Sequence, residues 1–207
     1  MLRTIKVVTL LKRPAMYKES VLKGWKNMNI WHDISEDRIN PDDFFAVIEI
    51  PKNCKNKYEV DKETGMLMLD RILYTSTHYP ANYGFIPRTY ADDNDPLDVL
   101  VMCGEEIAPL SLVRCYPIGH IAMNDDGKED IKIIAIPFKE PTWNCYSDVG
   151  ELPPHIIDEI KHFFNVYKQL EGKNMVVLEL YDRAEAEKEI AKSMANYKEK
   201  FVDIYKQ

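Results

Sequence analysis

Between residues 92 and 98 the chain carries Asp92, Asp93, Asp95 and Asp98, four carboxylates in seven positions, and then runs into the apolar stretch Val99, Leu100, Val101 and Met102. Carboxylates this close repel one another unless positive charge lies between them, and an oxygen-only set suits Mg²⁺, Mn²⁺ or Ca²⁺ better than zinc. Pro96 fixes its own φ and keeps Asp95 extended, so the loop enters a strand stiffly instead of coiling into a helix. Whatever fold forms must present this loop at the end of a buried strand, either as a solvated acidic turn or as a metal site. An EF-hand is excluded. Its sixth-position Gly and twelfth-position Glu would fall on Leu97 and Cys103, or on Asp98 and Gly104.

The strands around the loop carry charges in a consistent phase. Residues 44–50 are β-rich up to Pro51, with Phe45, Val47 and Glu49 on one face and Ala46, Ile48 and Ile50 on the other. In Lys57-Tyr58-Glu59-Val60 the two charges share a side; residues 62–65 form a turn around Gly65. The strand at 66–73 sets Arg71 in phase with Leu67, Leu69 and Leu73. Three strands that each place charge at comparable positions predict a mainly β fold, a barrel with a polar mouth. Residues 77–84 read as a loop broken by Pro80, Asn82 and Gly84, with Tyr79 and Tyr83 as packing aromatics.

Further strands are predicted at 99–102 and 111–123, then a hairpin turn at 124–128 and a strand on which Asp130, Lys132 and Ile134 share a face. Leu152-Pro153-Pro154 opens a helix whose apolar stripe is Ile156, Ile157, Ile160, Phe163, Phe164 and Tyr167, with Lys168 next in line. A last strand spans 176–181, and Asp182-x-x-Glu185 resembles a capping box that opens a final helix through Ile190, Met194, Tyr197 and Phe201.

Length favours one substantial core, so residues 31–207 are read as a single domain behind an extension, 1–30. Thirty-four acids against 27 bases give a net charge of −7, which argues against a nucleic-acid partner, since phosphate neutralisation needs a basic face. No segment approaches the roughly eighteen uninterrupted apolar residues of a membrane span. Cys54, Cys103, Cys115 and Cys145 are widely spaced with no C-x-x-C pair, as expected of free thiols in a reducing compartment such as the cytoplasm. The segment from Met1 to Lys26 holds seven Lys or Arg against Glu19, a bias shared with transit peptides, though Ser is scarce; organelle targeting and a surface-wrapping arm both stay open. Trp25, Ile30 and Trp31 are expected to pack onto the domain, and His32 to be structural.

Asp93-Asn94-Asp95-Pro96-Leu97-Asp98-Val99 resembles the signature of the family I soluble inorganic pyrophosphatases, D-x-D-P-x-D-hydrophobic. The likeness extends from Trp31 to Lys168 through Val47-Ile48-Glu49-Ile50-Pro51, Lys57-Tyr58-Glu59, Asp70-Arg71, Tyr79-Pro80-x-Asn82-Tyr83-Gly84, Asp125 to Lys132, and Phe163-Phe164-x-x-Tyr167-Lys168. It implies a compact closed β-barrel, OB-like, flanked by two helices of the C-terminal half. It also implies hydrolysis of pyrophosphate to two phosphates by direct attack of a metal-bound water or hydroxide. The resemblance assigns metal binding to Asp93, Asp95, Asp98, Asp125 and Asp130, proton acceptance from the water to Asp95 as well, and to Glu49 metal binding through water or a hydrogen bond near the substrate. Lys57, Arg71, Lys132, Tyr167, Lys168 and Tyr83 are implied to hold phosphate oxygens, and Glu59 to orient Lys57 or a water. Several Mg²⁺ ions per site are implied, with Mn²⁺ as a substitute. The extension resembles the plant-type branch, and homo-oligomers are among the assemblies it leaves open. Leu178-Glu179-Leu180-Tyr181 departs from the Trp-containing strand of many bacterial members.

Two other readings fit the acidic clusters. One is a two-metal phosphohydrolase acting on nucleotides or phosphomonoesters; the other is a non-enzymatic barrel that stores or senses Ca²⁺ or phosphate. A passive cation site has no need of Arg71 and several lysines at matching positions.

Overall fold

The computed structural model describes residues 29–125, 127–173 and 175–201, without the side chains of Asp125 and Lys128. The basic segment ending at Lys26, and Trp25 within it, lie outside the described residues. In chain order the strands are β1 (Ile39–Asn40), β2 (Asp43–Ile50), β3 (Asn56–Val60), β4 (Leu67–Ile72), β5 (Asn82–Phe85), β6 (Asp98–Val101), β7 (Leu112–Asp125), β8 (Lys128–Pro137) and β9 (Met175–Asp182). Helix α1 (Pro154–Val166) precedes β9, and α2 (Arg183–Lys200) follows it.

Seven strands form one sheet in the order β1-β2-β5-β6-β8-β7-β9, and β2 also pairs with β7. That extra pairing, Phe44 opposite Cys115 to Val47 opposite Leu112, turns β2, β5, β6, β8 and β7 into a hydrogen-bonded ring. The sheet is mixed: β6 and β8 run parallel, while their other neighbours pair antiparallel. β3 and β4 form a separate two-stranded sheet.

Alternation sorts the side chains into two cores. Val99, Val101, Ile133 and Ala135 join Phe44, Ala46 and Ile48 in one, which Ala186 and Ile190 of α2 cover. Leu100, Ile134 and Ile136 point the other way, into a core shared with Tyr79, Ile118 and Ile121 and covered by Ile157, Ile160, Phe163 and Phe164 of α1. Asp98, Asp130 and Lys132 have the parity of Leu100 and Ile134, so they extend the α1-side face to its open end.

Two expectations need correction. Residues 77–84 are not all loop, because β5 begins at Asn82. Asn82 is fully buried and replaces missing backbone pairing: its Oδ1 accepts from Lys52 N (3.0 Å) and Ile107 N (2.8 Å), and its Nδ2 donates to Glu105 O (3.0 Å). Gly84 stands opposite Ile48, where a Cβ would lie 1.8 Å from the carbonyl oxygen of Val47. Both residues look like breakers but serve close strand contact. Ile48 and Ile50 do not share a core either, since a register shift between them sends Ile50 to the α1 side.

Asp182 caps α2 by accepting from Glu185 N at 3.0 Å, while the full reciprocal capping box forms at Asp148 and Glu151, before α1. Trp31 is buried, donates Nε1 to Thr89 O at 2.8 Å and stacks on His32, whose Nδ1 meets the Tyr197 hydroxyl at 2.7 Å. Burial lowers the His32 pKa, in keeping with a structural role.

Candidate active site

The parallel pairing of β6 with β8 sets Asp98 beside Lys132. Lys132 is 4% exposed, and its ammonium pairs with Asp98 and, at 2.5 Å, with Asp130 Oδ1. Burial alone would lower the lysine's pKa, but the two carboxylates outweigh it and keep it raised, so the side chain stays charged. Desolvation pushes the Asp130 carboxyl up against the pull of Lys132. One ammonium between two aspartates shows that this point of the fold attracts a cation.

Around this centre lies a cleft of about 230 Å³. Glu49, on β2, is 8% exposed, and its Oε1 accepts from Val60 N at 2.7 Å. Desolvation lifts its pKa to about 7 despite that hydrogen bond. Tyr83 of β5 is buried, with its phenol pKa raised well above the usual value by desolvation and then by Asp98, so its hydroxyl keeps its proton. It packs on Tyr79, 5.3 Å between ring centroids, and Tyr79 packs on Phe163 of α1 at 4.8 Å. The acidic loop contributes Asp93, whose carboxyl desolvation raises, and Asp95, half-exposed at the rim and ion-paired with Lys62. Asp93 Oδ1 accepts from Asp95 N at 3.0 Å, which fixes the two acids relative to each other.

The β3–β4 hairpin forms one wall. Lys57 pairs with Glu59 and, at 3.2 Å, with Asp70 Oδ2. Facing it, Tyr167 caps the C-terminus of α1 and stacks on Phe163 at 5.1 Å, and Lys168 lies over the Tyr167 ring at 5.4 Å.

The structure therefore brings Glu49, Lys57, Glu59, Tyr83, Asp93, Asp95, Asp98, Asp130, Lys132, Tyr167 and Lys168 to one cleft. Arg71 is not among the lining residues; its guanidinium turns to Asp70 (2.5 Å) and Glu171 (3.0 Å). Asp125 ends β7 opposite Lys128, and its side chain lies outside the described residues. Sequence reading missed Lys62, which holds Asp95 and sits 5.4 Å from the Trp31 ring, and Asn29, Ile30 and Trp31 as cleft lining. The Lys62 signal was present as a lone cation in a hairpin turn, a pattern indistinguishable from surface charge.

A family model described as inorganic pyrophosphatase matches residues 46–198. Soluble inorganic pyrophosphatase 2 of Chlamydomonas reinhardtii is 44% identical over 172 residues, covering 83% of this chain and 90% of the relative. The inorganic pyrophosphatase of Aquifex pyrophilus is 46% identical over 171 residues, covering 81% and 97%. The chain belongs to the inorganic pyrophosphatase family. Its fold agrees: the crystal structure of inorganic pyrophosphatase from Thermus thermophilus superposes with a TM-score of 0.79 at 36% identity, covering 83% of this chain and 99% of that one. This pyrophosphatase is thus an inorganic diphosphatase, a hydrolase of pyrophosphate.

The donor chemistry of the pyrophosphatase cleft fits a hard divalent cation. Its lining among the described residues offers carboxylate oxygens and neither His nor Cys. Among the same residues no three acidic, His or Cys side chains are gathered to hold an ion by themselves, and Lys132 lies between Asp98 and Asp130.

Proposed function

We propose that hydrolysis proceeds in this cleft by direct attack of water on one phosphorus, without a covalent enzyme intermediate. Asp93, Asp98, Asp125 and Asp130, with Glu49, would hold several Mg²⁺ ions, or Mn²⁺ in their place. When bound, these ions neutralise phosphate charge and make the attacking water more acidic. Asp95 takes the proton from that water. Lys57, Lys132 and Lys168 neutralise outer phosphate oxygens, Arg71 grips one in a fork, and the Tyr83 and Tyr167 hydroxyls donate hydrogen bonds. Glu59 orients Lys57 through their ion pair.

Convergence carries this reading. Asp98 and Lys132 are neighbours on parallel strands, and Glu49, Lys57, Tyr83 and the Tyr167-Lys168 pair reach the same cleft from four other elements. The same reading takes the five-stranded ring as a closed, OB-like barrel with this cleft at its mouth. It takes residues 31–207 as one domain behind an extension, working in the cytoplasm without nucleic acid. The acidic charge balance supports the last point, and among the described residues no helix is long and apolar enough to cross a membrane.

The test is phosphate release from pyrophosphate with Mg²⁺, again with EDTA, and from ATP under the same conditions. Fast Mg²⁺-dependent release from pyrophosphate, abolished by EDTA and weak from ATP, is expected. A preference for ATP would favour the nucleotide phosphohydrolase reading.

A further inference from the structure

Glu171 has no part in the scheme above, yet it holds a side chain that does. It closes the short 3₁₀ turn Gln169–Glu171, which follows Tyr167 and Lys168 directly and ends on Gly172 in the left-handed region (φ 74°). The side chain is only 13% exposed, and it accepts from Arg71 Nε at 3.0 Å, across 100 residues of sequence. Arg71 Nη1 reaches Asp70 Oδ2 at 2.5 Å, and the same Asp70 oxygen lies 3.2 Å from Lys57 Nζ. Lys57 and Arg71 are register partners across the β3–β4 hairpin. A continuous line of charges thus runs from the turn after α1, through Arg71 and Asp70, to the cleft lysine.

We propose that Glu171 is a positioning residue for pyrophosphate binding: it fixes the Arg71 guanidinium and ties the hairpin bearing Lys57 and Glu59 to the turn bearing Tyr167 and Lys168. A guanidinium is planar with five N–H donors, so holding Nε and Nη1 sets the direction of the others. Without Glu171, the long Arg71 side chain regains rotamer freedom, and ordering it again becomes a cost of substrate binding. Among the described residues β3 and β4 share no strand pairing with the main sheet, so the hairpin is held by side-chain links: Glu49 with Val60 N at one end, and Arg71 with Glu171 at the other. This inference rests on the reading that Arg71 contacts an outer phosphate oxygen.

The test is a double-mutant cycle on KM and kcat for pyrophosphate at saturating Mg²⁺, with Tm recorded for each protein as a check of folding. The variants are Glu171→Gln, Glu171→Asp, Arg71→Ala and the Glu171→Gln/Arg71→Ala double. Arg71→Ala should raise KM about tenfold, the scale of a lost charge-assisted contact. Glu171→Gln should raise KM about three- to fivefold with kcat within about twofold, and Glu171→Asp should recover part of the loss. In the Arg71→Ala background, Glu171→Gln should change KM by less than about 1.5-fold, because its route to the substrate is gone. Additive effects, or a lower Tm with unchanged KM, would overturn the proposal while leaving Arg71 as a substrate contact. An unchanged KM in Arg71→Ala would instead remove the substrate contact itself, and the proposal with it.

Discussion

Glu49 and Asp98 show what single carboxyl groups contribute in this cleft. With its pKa raised to about 7 by burial, against an ordinary value of 4.5, Glu49 favours the folded state most when protonated. That stability is fully present below about pH 4.5 and is lost as pH rises through about 7. Glu49→Gln keeps an oxygen to accept from Val60 N and removes the charge. It should therefore raise unfolding free energy by about 1–3 kcal/mol at pH 8, with the two proteins converging near pH 4.5, as read by urea denaturation in EDTA. Equal stability at both pH values would mean that the carboxyl is not desolvated. Asp98→Ala should abolish Mg²⁺-dependent phosphate release while the protein stays folded, because Asp130 still neutralises Lys132. Retained activity would remove Asp98 from the metal set. Asp95→Asn, nearly isosteric, should depress kcat far more than Mg²⁺ affinity measured by calorimetry; the reverse pattern would make Asp95 a ligand.

At this scale the acidic residues and Lys132 were legible in the sequence, because crowded like charges and a lysine in strand phase with Asp130 ask for an explanation. Lys62 and Glu171 were not. Each is one charge among others in a turn, and its importance comes from a partner 33 or 100 residues away.

Elements carry the next level of constraint. The strands at residues 44–50 and 99–102 and the stripe of α1 were readable because apolar periodicity records which face is buried. β5 was misread because Asn82 and Gly84 resemble loop residues, whereas one substitutes for backbone pairing and the other clears space for β2. Gly84→Ala should thus cost about 3 kcal/mol or more, by forcing β5 away from Val47 and shifting Tyr83 with it. Thermal unfolding and KM together check this: a lower Tm with weakened substrate binding is expected, and a wild-type Tm would mean that the two strands can separate freely. The split between Ile48 and Ile50 was equally hidden, since alternation assumes an unbroken register and a bulge breaks it.

Over the whole molecule, ring closure brings distant segments to one place. β2 pairs with β5 and β7 at once, so Glu49, Tyr83, Asp98 and the Asp130-Lys132 pair, scattered over 84 positions of sequence, face one cleft between hairpin and helix end. Repeated charge phase led sequence reading to place the strands of Lys57 and Arg71 around a barrel mouth, whereas β3 and β4 form their own two-stranded sheet outside the ring and Arg71 turns to Asp70 and Glu171, which depends on where the 3₁₀ turn lies. In the proposed function, divalent cations join these carboxylates to pyrophosphate. Anomalous diffraction from crystals grown with Mn²⁺ and a non-hydrolysable pyrophosphate analogue would locate both. Mn²⁺ peaks among Asp93, Asp98, Asp125 and Asp130, with the analogue between them and Lys57, Lys132 and Lys168, are the predicted result; peaks or analogue bound away from this cleft would contradict it.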